Sequence, residues 1–297
     1  MNNEIECVND FLKNPKALTQ MEADYKSKWS HHLTLLHVLL VKNNIKKNHI
    51  IMNQTNYKNI KKNHTKLSKK LGFSIRHKSL FQFRTLVPNT RFLNHDVIEE
   101  LAKNSAISLP MIIYAKEEIL SPNLNQLPSK GIGKLLEYPN CCINWLIESE
   151  VNDFEIGFAI LNKRGDIDSK DTPEEIAIKI IQIHSDECQP DILYRLCKIW
   201  NHQLSKGRKK FPFCFHQSCD ECLDNDKSPS ALLNEKYANF AKENFPKLYE
   251  KIILESKIAS NEYDEDVKHA TSNLQNMNYD PDNSEILTRI TPLDILD

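Results

Sequence analysis

The chain has 297 residues, 39 Lys+Arg against 40 Asp+Glu, 40% apolar residues and only six glycines. That is enough for one large or two smaller hydrophobic cores, and it excludes collagen-like and Gly/Ser-linker classes. No apolar run approaches the roughly 18 residues a membrane span needs. Met1 to Asp10 carries Glu4, Glu6 and Asp10, not the basic start and apolar stretch of a secretory signal. A cytoplasmic protein with no membrane partner is expected. Eight cysteines in such a chain read as reduced thiols, so metal or catalytic use outranks a disulfide framework.

In chain order, residues 1–20 read as a flexible N-terminus, and Cys7 within it receives no role. Residues 21–43 read as a helix, because Leu33, Leu36, His37, Leu40 and Val41 recur at spacings of three and four. His37 lies on that stripe and is expected to be a hydrogen-bonded core histidine. Ile50 to Met52 suggests a strand, Asn56 to Leu71 a basic helix closed by Gly72, and Phe73 to Arg76 and Phe81 to Val87 two more strands. Asp96 to Lys103 reads as a short helix and Pro110 to Tyr114 as an apolar strand. Residues 21–115 therefore form a basic mixed α/β region.

The near-zero net charge hides an asymmetry. Val41 to His95 contains thirteen Lys and Arg and no acid, so against the net −1 the rest of the chain carries −14. Such a bias attracts polyanions, and RNA or another anionic partner is the expectation for residues 41–95. Lys58, Lys61, Lys62, Lys66, Lys69, Lys70 and Arg76 are its candidate contacts. The alternative is an ordinary solvated face, since only clustering in space makes a binding site.

From Ser129 the character changes. Pro139 favours the start of a helix, which places Cys141 and Cys142 in its first turn. Phe154 to Leu161 suggests a strand, and Arg164-Gly165-Asp166 a turn. Thr172-Pro173-Glu174-Glu175 has the form of a capping box opening a helix that runs through Ile183. A second helix follows Pro190, with Leu193, Tyr194, Cys197 and Trp200 on one face. Ser205 to Phe213 reads as a basic loop, and Ser228 to Ile253 as helix. Residues 116–256 are thus a cysteine-rich, mainly helical domain. Beyond Ser260 nine acids face only Lys268 and Arg289, so 257–297 reads as an acidic, disordered tail. The expected fold class is α+β (mixed α/β): a small N-terminal mixed sheet with helices, followed by the helical cysteine-rich domain.

The densest chemistry is Cys214-Phe-His216-Gln-Ser-Cys219-Asp-Glu-Cys222, four soft or borderline ligands within nine residues. Thiolates suit zinc, copper(I) and iron–sulfur clusters, and imidazole suits zinc and iron. The Cys219-x2-Cys222 spacing lets two sulfurs of one turn reach one metal. Cys214-x4-Cys219-x2-Cys222 also has the local spacing of plant-type ferredoxins, but no fourth cysteine follows, so Cys141 or Cys142 would have to complete the set. Adjacent helical residues point about 100° apart, so both members of that doublet rarely ligate one ion. Cys188 and Cys197 are expected in the core.

Gly133-Lys-Leu135-Leu136-Glu137-Tyr138-Pro139-Asn140-Cys141-Cys142 resembles the G-x-L-L-G-Y-P-x-C-C signature of an uncharacterised, largely archaeal family, the domain-of-unknown-function family numbered four hundred and eighty-three. His216-Gln-Ser218-Cys219-Asp-Glu-Cys222, with Ser228 and Tyr237 after it, resembles that family's second block. The likeness covers Ile112 to Phe245. Glu137 stands where the pattern has glycine, and Ser218 where it has proline. The resemblance implies that both blocks belong to one domain and one site. The expected metal set is Cys141, Cys142, His216, Cys219 and Cys222, with Cys214 as an extra ligand, holding an iron–sulfur cluster or zinc.

Two functions stay open at this point. One is an iron–sulfur or iron/zinc enzyme of redox or group-transfer type acting on an anionic substrate. The other is a zinc-stapled binding module that takes RNA through its basic region without catalysis. No Walker A, GxGxxG, GxSxG or HExxH pattern occurs.

Overall fold

All ten side chains from His32 to Val41 in helix α2 (Ser30–Lys42) are buried. A helix buried all round needs partners on every side, and this requirement organises much of the chain. The computed structural model describes residues 2–13, 30–52, 57–72, 75–81, 108–115, 129–183 and 189–287. Besides α2, its helices are α1 (Asn2–Lys13), α3 (Tyr57–Lys70), α4 (Ser129–Leu135), α5 (Asn140–Arg164), α6 (Pro173–Ile183), α7 (Pro190–Tyr194), α8 (His202–Lys210), α9 (Asp220–Asp224), α10 (Pro229–Asn244) and α11 (Pro246–Asn276). A π-helical stretch, Arg195–Asn201, joins α7 to α8.

The expected α+β class is corrected: the described residues are mainly helical. Strand structure is limited to β1 (Asn48–Met52), β2 (Ile75–Phe81) and β3 (Ser108–Ala115), and these form one small sheet of order β1-β3-β2. Both pairings are antiparallel, with Ile50 opposite Ile113 and His77 opposite Ile112. Two segments account for most of the shift toward helix. Phe154 to Leu161, expected as a strand, lies inside α5, where Phe154, Ile156, Ile160 and Leu161 share a core with Ile176 and Ile180. Ser205 to Lys210, expected in a basic loop, lies in α8, whose Ser205 and Arg208 are buried while Lys206 and Lys209 are exposed. That alternation is the helical period, which a run of lysines conceals.

The chain divides into two compact units. Unit 1 comprises Met1–Gln82, Ile107–Ile143 and Ser205–Glu262; unit 2 comprises Phe83–Ala106, Asn144–Leu204 and Tyr263–Asp297. The core of unit 1 gathers Leu33, Leu36 and Leu40 of α2 with Leu67, Leu71, Phe213, Tyr237, Ala241, Phe245 and Leu248. Cys7, expected in a flexible end, is buried in this core from α1. In unit 2, Ile176, Ile180 and Ile183 of α6 pack with Phe154, Ile160, Ile192 and Ile286. Thr172 and Glu175 form the expected capping box: the Glu175 amide donates to Thr172 Oγ1 at 3.3 Å, and the Thr172 amide to Glu175 Oε2 at 2.7 Å.

Helix α11 runs on past Ser260 to Asn276, where a disordered tail is expected. Its buried Ala270 and Leu274 pack with Leu193, and that apolar anchor offsets the acidic composition. The expectations for Asp96–Lys103 and for residues 288–297 lie outside the described residues, as do Cys188 and the side chain of Cys197. No helix among the described residues is long and apolar enough to cross a membrane.

Candidate metal centre

The first cysteine block is delivered by the way α4 ends. Tyr138 N–H donates to Gly133 O and Glu137 N–H to Lys134 O, both at 3.0 Å, while Glu137 holds φ at +59°. This is a Schellman-type stop, whose left-handed residue is usually glycine. Glu137 carries a cost of about 1 kcal/mol there, offset in part because its Oε2 accepts the Lys47 amide at 2.7 Å. Gly133 is required for another reason: a Cβ on it would stand 2.7 Å from Cγ1 of Ile143. Pro139 O accepts the Ile143 amide at 3.0 Å, and α5 begins with Cys141 and Cys142 in its first turn, as expected.

The second block is a tight turn. Cys219 precedes α9 as its N-cap, and its carbonyl accepts the amides of Cys222 and Leu223 at 3.0 Å. Ser228 Oγ donates to Cys222 O at 3.0 Å and accepts the Ala231 amide at 3.3 Å. One hydroxyl thereby ties the cysteine turn to the start of α10.

The two blocks meet within unit 1. The sulfurs of Cys141, Cys142, Cys219 and Cys222 all lie within 4.8 Å of one another. The separations are 3.5 Å for Cys141–Cys222, 3.6 Å for Cys142–Cys222 and 3.7 Å for Cys142–Cys219. Four thiolates about 2.3 Å from a tetrahedral ion stand about 3.8 Å apart. The residues fit a single metal ion. Both members of the doublet join the group despite their adjacency.

Electrostatics point the same way. Burial, reinforced by the thiols of Cys222 and Cys219, pushes Cys141 up to about 12. Cys219 is also raised, first by its hydrogen bond to Cys142 and then by burial. Burial works to raise Cys222 too, but hydrogen bonds from Ser230 and the two helix-start thiols carry it below the ordinary value. Four thiols this close cannot all ionise unaided, and a bound dication supplies the compensating charge. The Cys219 amide donates to Cys142 Sγ at 3.4 Å, and the Ser230 hydroxyl lies 3.4 Å from the same sulfur.

His216 and Cys214 stand outside the group of four. His216 Nε2 is 2.8 Å from Ser230 Oγ and its ring is 5.1 Å from that of Tyr138. Burial, then the fields of Lys46 and Arg208, hold His216 down to about 3, so the imidazole is neutral. Among the described residues it meets the sulfurs through Ser230. Cys214 is fully enclosed, pushed up to about 12 by burial, and donates to Ser230 O at 3.6 Å. Ser230 itself, in contact with Cys142, His216 and Cys214, is a residue that sequence reasoning misses. Its signal is position, the second residue of the helix that Ser228 caps and Pro229 opens.

Of the candidate nucleic-acid contacts, Lys62, Lys66, Lys69 and Lys70 are exposed on α3, whose other face buries His64, Leu67 and Ser68. Lys70 Nζ pairs with Asp10 at 3.0 Å. The side chains of Lys58, Lys61 and Arg76 lie outside the described residues. No family model matches the chain, and neither the curated proteins nor the solved structures contain a match to it.

Proposed function

We propose that Cys141, Cys142, Cys219 and Cys222 bind one zinc ion that staples the start of α5 to the α9 turn, making unit 1 a metal-stabilised binding module. The single observation carrying this reading is the compact group of four sulfurs, all within 4.8 Å of one another and with three separations of 3.5–3.7 Å. A closed set of four thiolates suits a structural ion, which contributes folding free energy instead of an open coordination position. An iron–sulfur cluster has several irons to serve and spreads its thiolates more widely than one ion does.

The partner we propose is an anionic polymer, RNA, held by the exposed lysines of α3. Lys62, Lys66 and Lys69 line the solvent face of that helix, so the basic run is clustered in space as well as in sequence. Metal analysis of the purified chain tests the first part, with one zinc per chain expected. Titration of RNA across salt tests the second, because phosphate contacts give a steep negative slope of affinity against salt. Lys62→Ala/Lys66→Ala/Lys69→Ala should flatten that slope; a slope unchanged by the triple substitution excludes α3 as the contact.

A further inference from the structure

The four sulfurs of the thiolate centre differ in what can reach them. Cys142, Cys219 and Cys222 are 2%, 4% and 0% exposed. Cys141, in the first turn of α5 and next to the exposed Asn140, is only partly buried. Small oxidants attack thiolates, and a cysteine's susceptibility follows its thiolate character and its exposure. A bound metal keeps all its sulfurs deprotonated, which leaves exposure to choose among them. The sulfur that an oxidant meets first is Cys141.

A sulfenic acid formed there needs a second thiolate to resolve it, and geometry selects one. Cys142 is the neighbour in sequence but a poor partner. Consecutive Cα atoms across a trans peptide are about 3.8 Å apart, short of the roughly 4.4–6.8 Å over which disulfides form. Cys222, from the other block, lies 3.5 Å away, the shortest of the three measured sulfur separations. An S–S bond is about 2.05 Å long, so these two sulfurs need to close by about 1.5 Å. Cys142 and Cys219, 3.7 Å apart and both buried, are the complementary pair that remains.

We infer that Cys141 is an oxidative modification site, at which hydrogen peroxide exchanges the zinc staple for a covalent one, the Cys141–Cys222 disulfide; the metal's part in this rests on the zinc reading above. The Cys141 thiolate attacks one peroxide oxygen, the O–O bond breaks, and the departing hydroxide takes a solvent proton to become water. The Cys222 thiolate then attacks the sulfenic sulfur, forms the S–S bond and expels a second hydroxide, which is protonated in the same way. The two thiolates lose two electrons and the peroxide gains them. Two remaining thiolates no longer close a tetrahedral site, so zinc leaves. The bridge joins the same two blocks that the metal joined, so the start of α5 stays tied to the α9 turn.

The test titrates the full-length, zinc-loaded protein with hydrogen peroxide. Released zinc is read with a chromogenic chelator, and bridges are located by peptide mapping in the mass spectrometer after free thiols are blocked. The whole zinc complement should be lost in step with a Cys141–Cys222 disulfide, while the helical circular dichroism is retained. A dithiol reductant and added zinc should restore the starting state. Cys141→Ser should lose zinc to peroxide at least about tenfold more slowly, because its remaining sulfurs are buried. If that variant takes up no zinc, the bridge map of the unsubstituted chain decides the matter. Zinc is also counted before oxidation: a chain that holds none ends the zinc reading, and the map still decides whether Cys141 and Cys222 pair. A first bridge between any other two cysteines, zinc loss without a bridge, zinc retained under peroxide, or release from Cys141→Ser at an unchanged rate would overturn the inference.

Discussion

Unit 2 buries Arg195 and unit 1 gathers four thiols, three of them buried, and the two regions settle their polar groups differently. Arg195 Nε donates to Asp153 Oδ1 at 2.6 Å and Nη2 to Ser149 O at 3.1 Å, while Trp200 Nε1 donates to Asp153 Oδ2 at 2.7 Å. Both carboxylate oxygens are used, and the charge is neutralised from within. The sulfurs of unit 1 have mainly each other, with Cys141 and Cys219 both held above the ordinary thiol value. A network that closes on itself calls for no ligand, whereas one that converges without compensating charge does.

The largest test of that contrast removes the metal. Cys219→Ser/Cys222→Ser, or a strong chelator, should forfeit a folding contribution on the order of 10 kcal/mol. Hydrogen exchange should then show α9 and the first turn of α5 losing protection while α6 keeps its own. Equal protection with and without metal would break the contrast. Next in size, Asp153→Ala strands Arg195 as a buried unpaired charge and should cost about 3–5 kcal/mol in denaturant unfolding, with metal content unchanged.

A smaller effect concerns the outer support of the sulfurs. Ser230→Ala removes the hydroxyl between Cys142 and His216 and should weaken metal affinity about 10–100-fold in a competition titration. His216→Ala should weaken it less, because imidazole acts only through that hydroxyl; a larger loss from His216→Ala would make His216 a ligand. Smallest of all, Thr172→Ala removes the cap of α6 and should cost about 1 kcal/mol of stability, leaving metal affinity untouched.

Local signals read correctly from the sequence wherever backbone chemistry decided the outcome. The capping box at Thr172, the Cys141–Cys142 helix start and the Gly72 stop with φ at +63° are of this kind. The CxxC turn likewise marked the site, and the doublet completed it. What could not be read depended on partners distant in sequence. The stripe expected on α2 was too narrow, because that helix is enclosed on all sides. The apolar run from Phe154 has the look of a strand in the sequence because short runs are alike in either state. The acidic stretch after Ser260 is helical, with Ala270 and Leu274 buried in its own unit. Ser230 bears no motif, and only its neighbours in space give it meaning.

Cobalt substitution with sulfur-edge and metal X-ray absorption on the intact chain addresses the metal centre most directly. The expected spectrum is one ion per chain bound by four sulfurs at about 2.3 Å, with intense thiolate-to-cobalt bands that disappear in Cys219→Ser/Cys222→Ser. Mixed nitrogen and sulfur ligation, iron with inorganic sulfide, or a protein that folds fully and takes up no metal would contradict it.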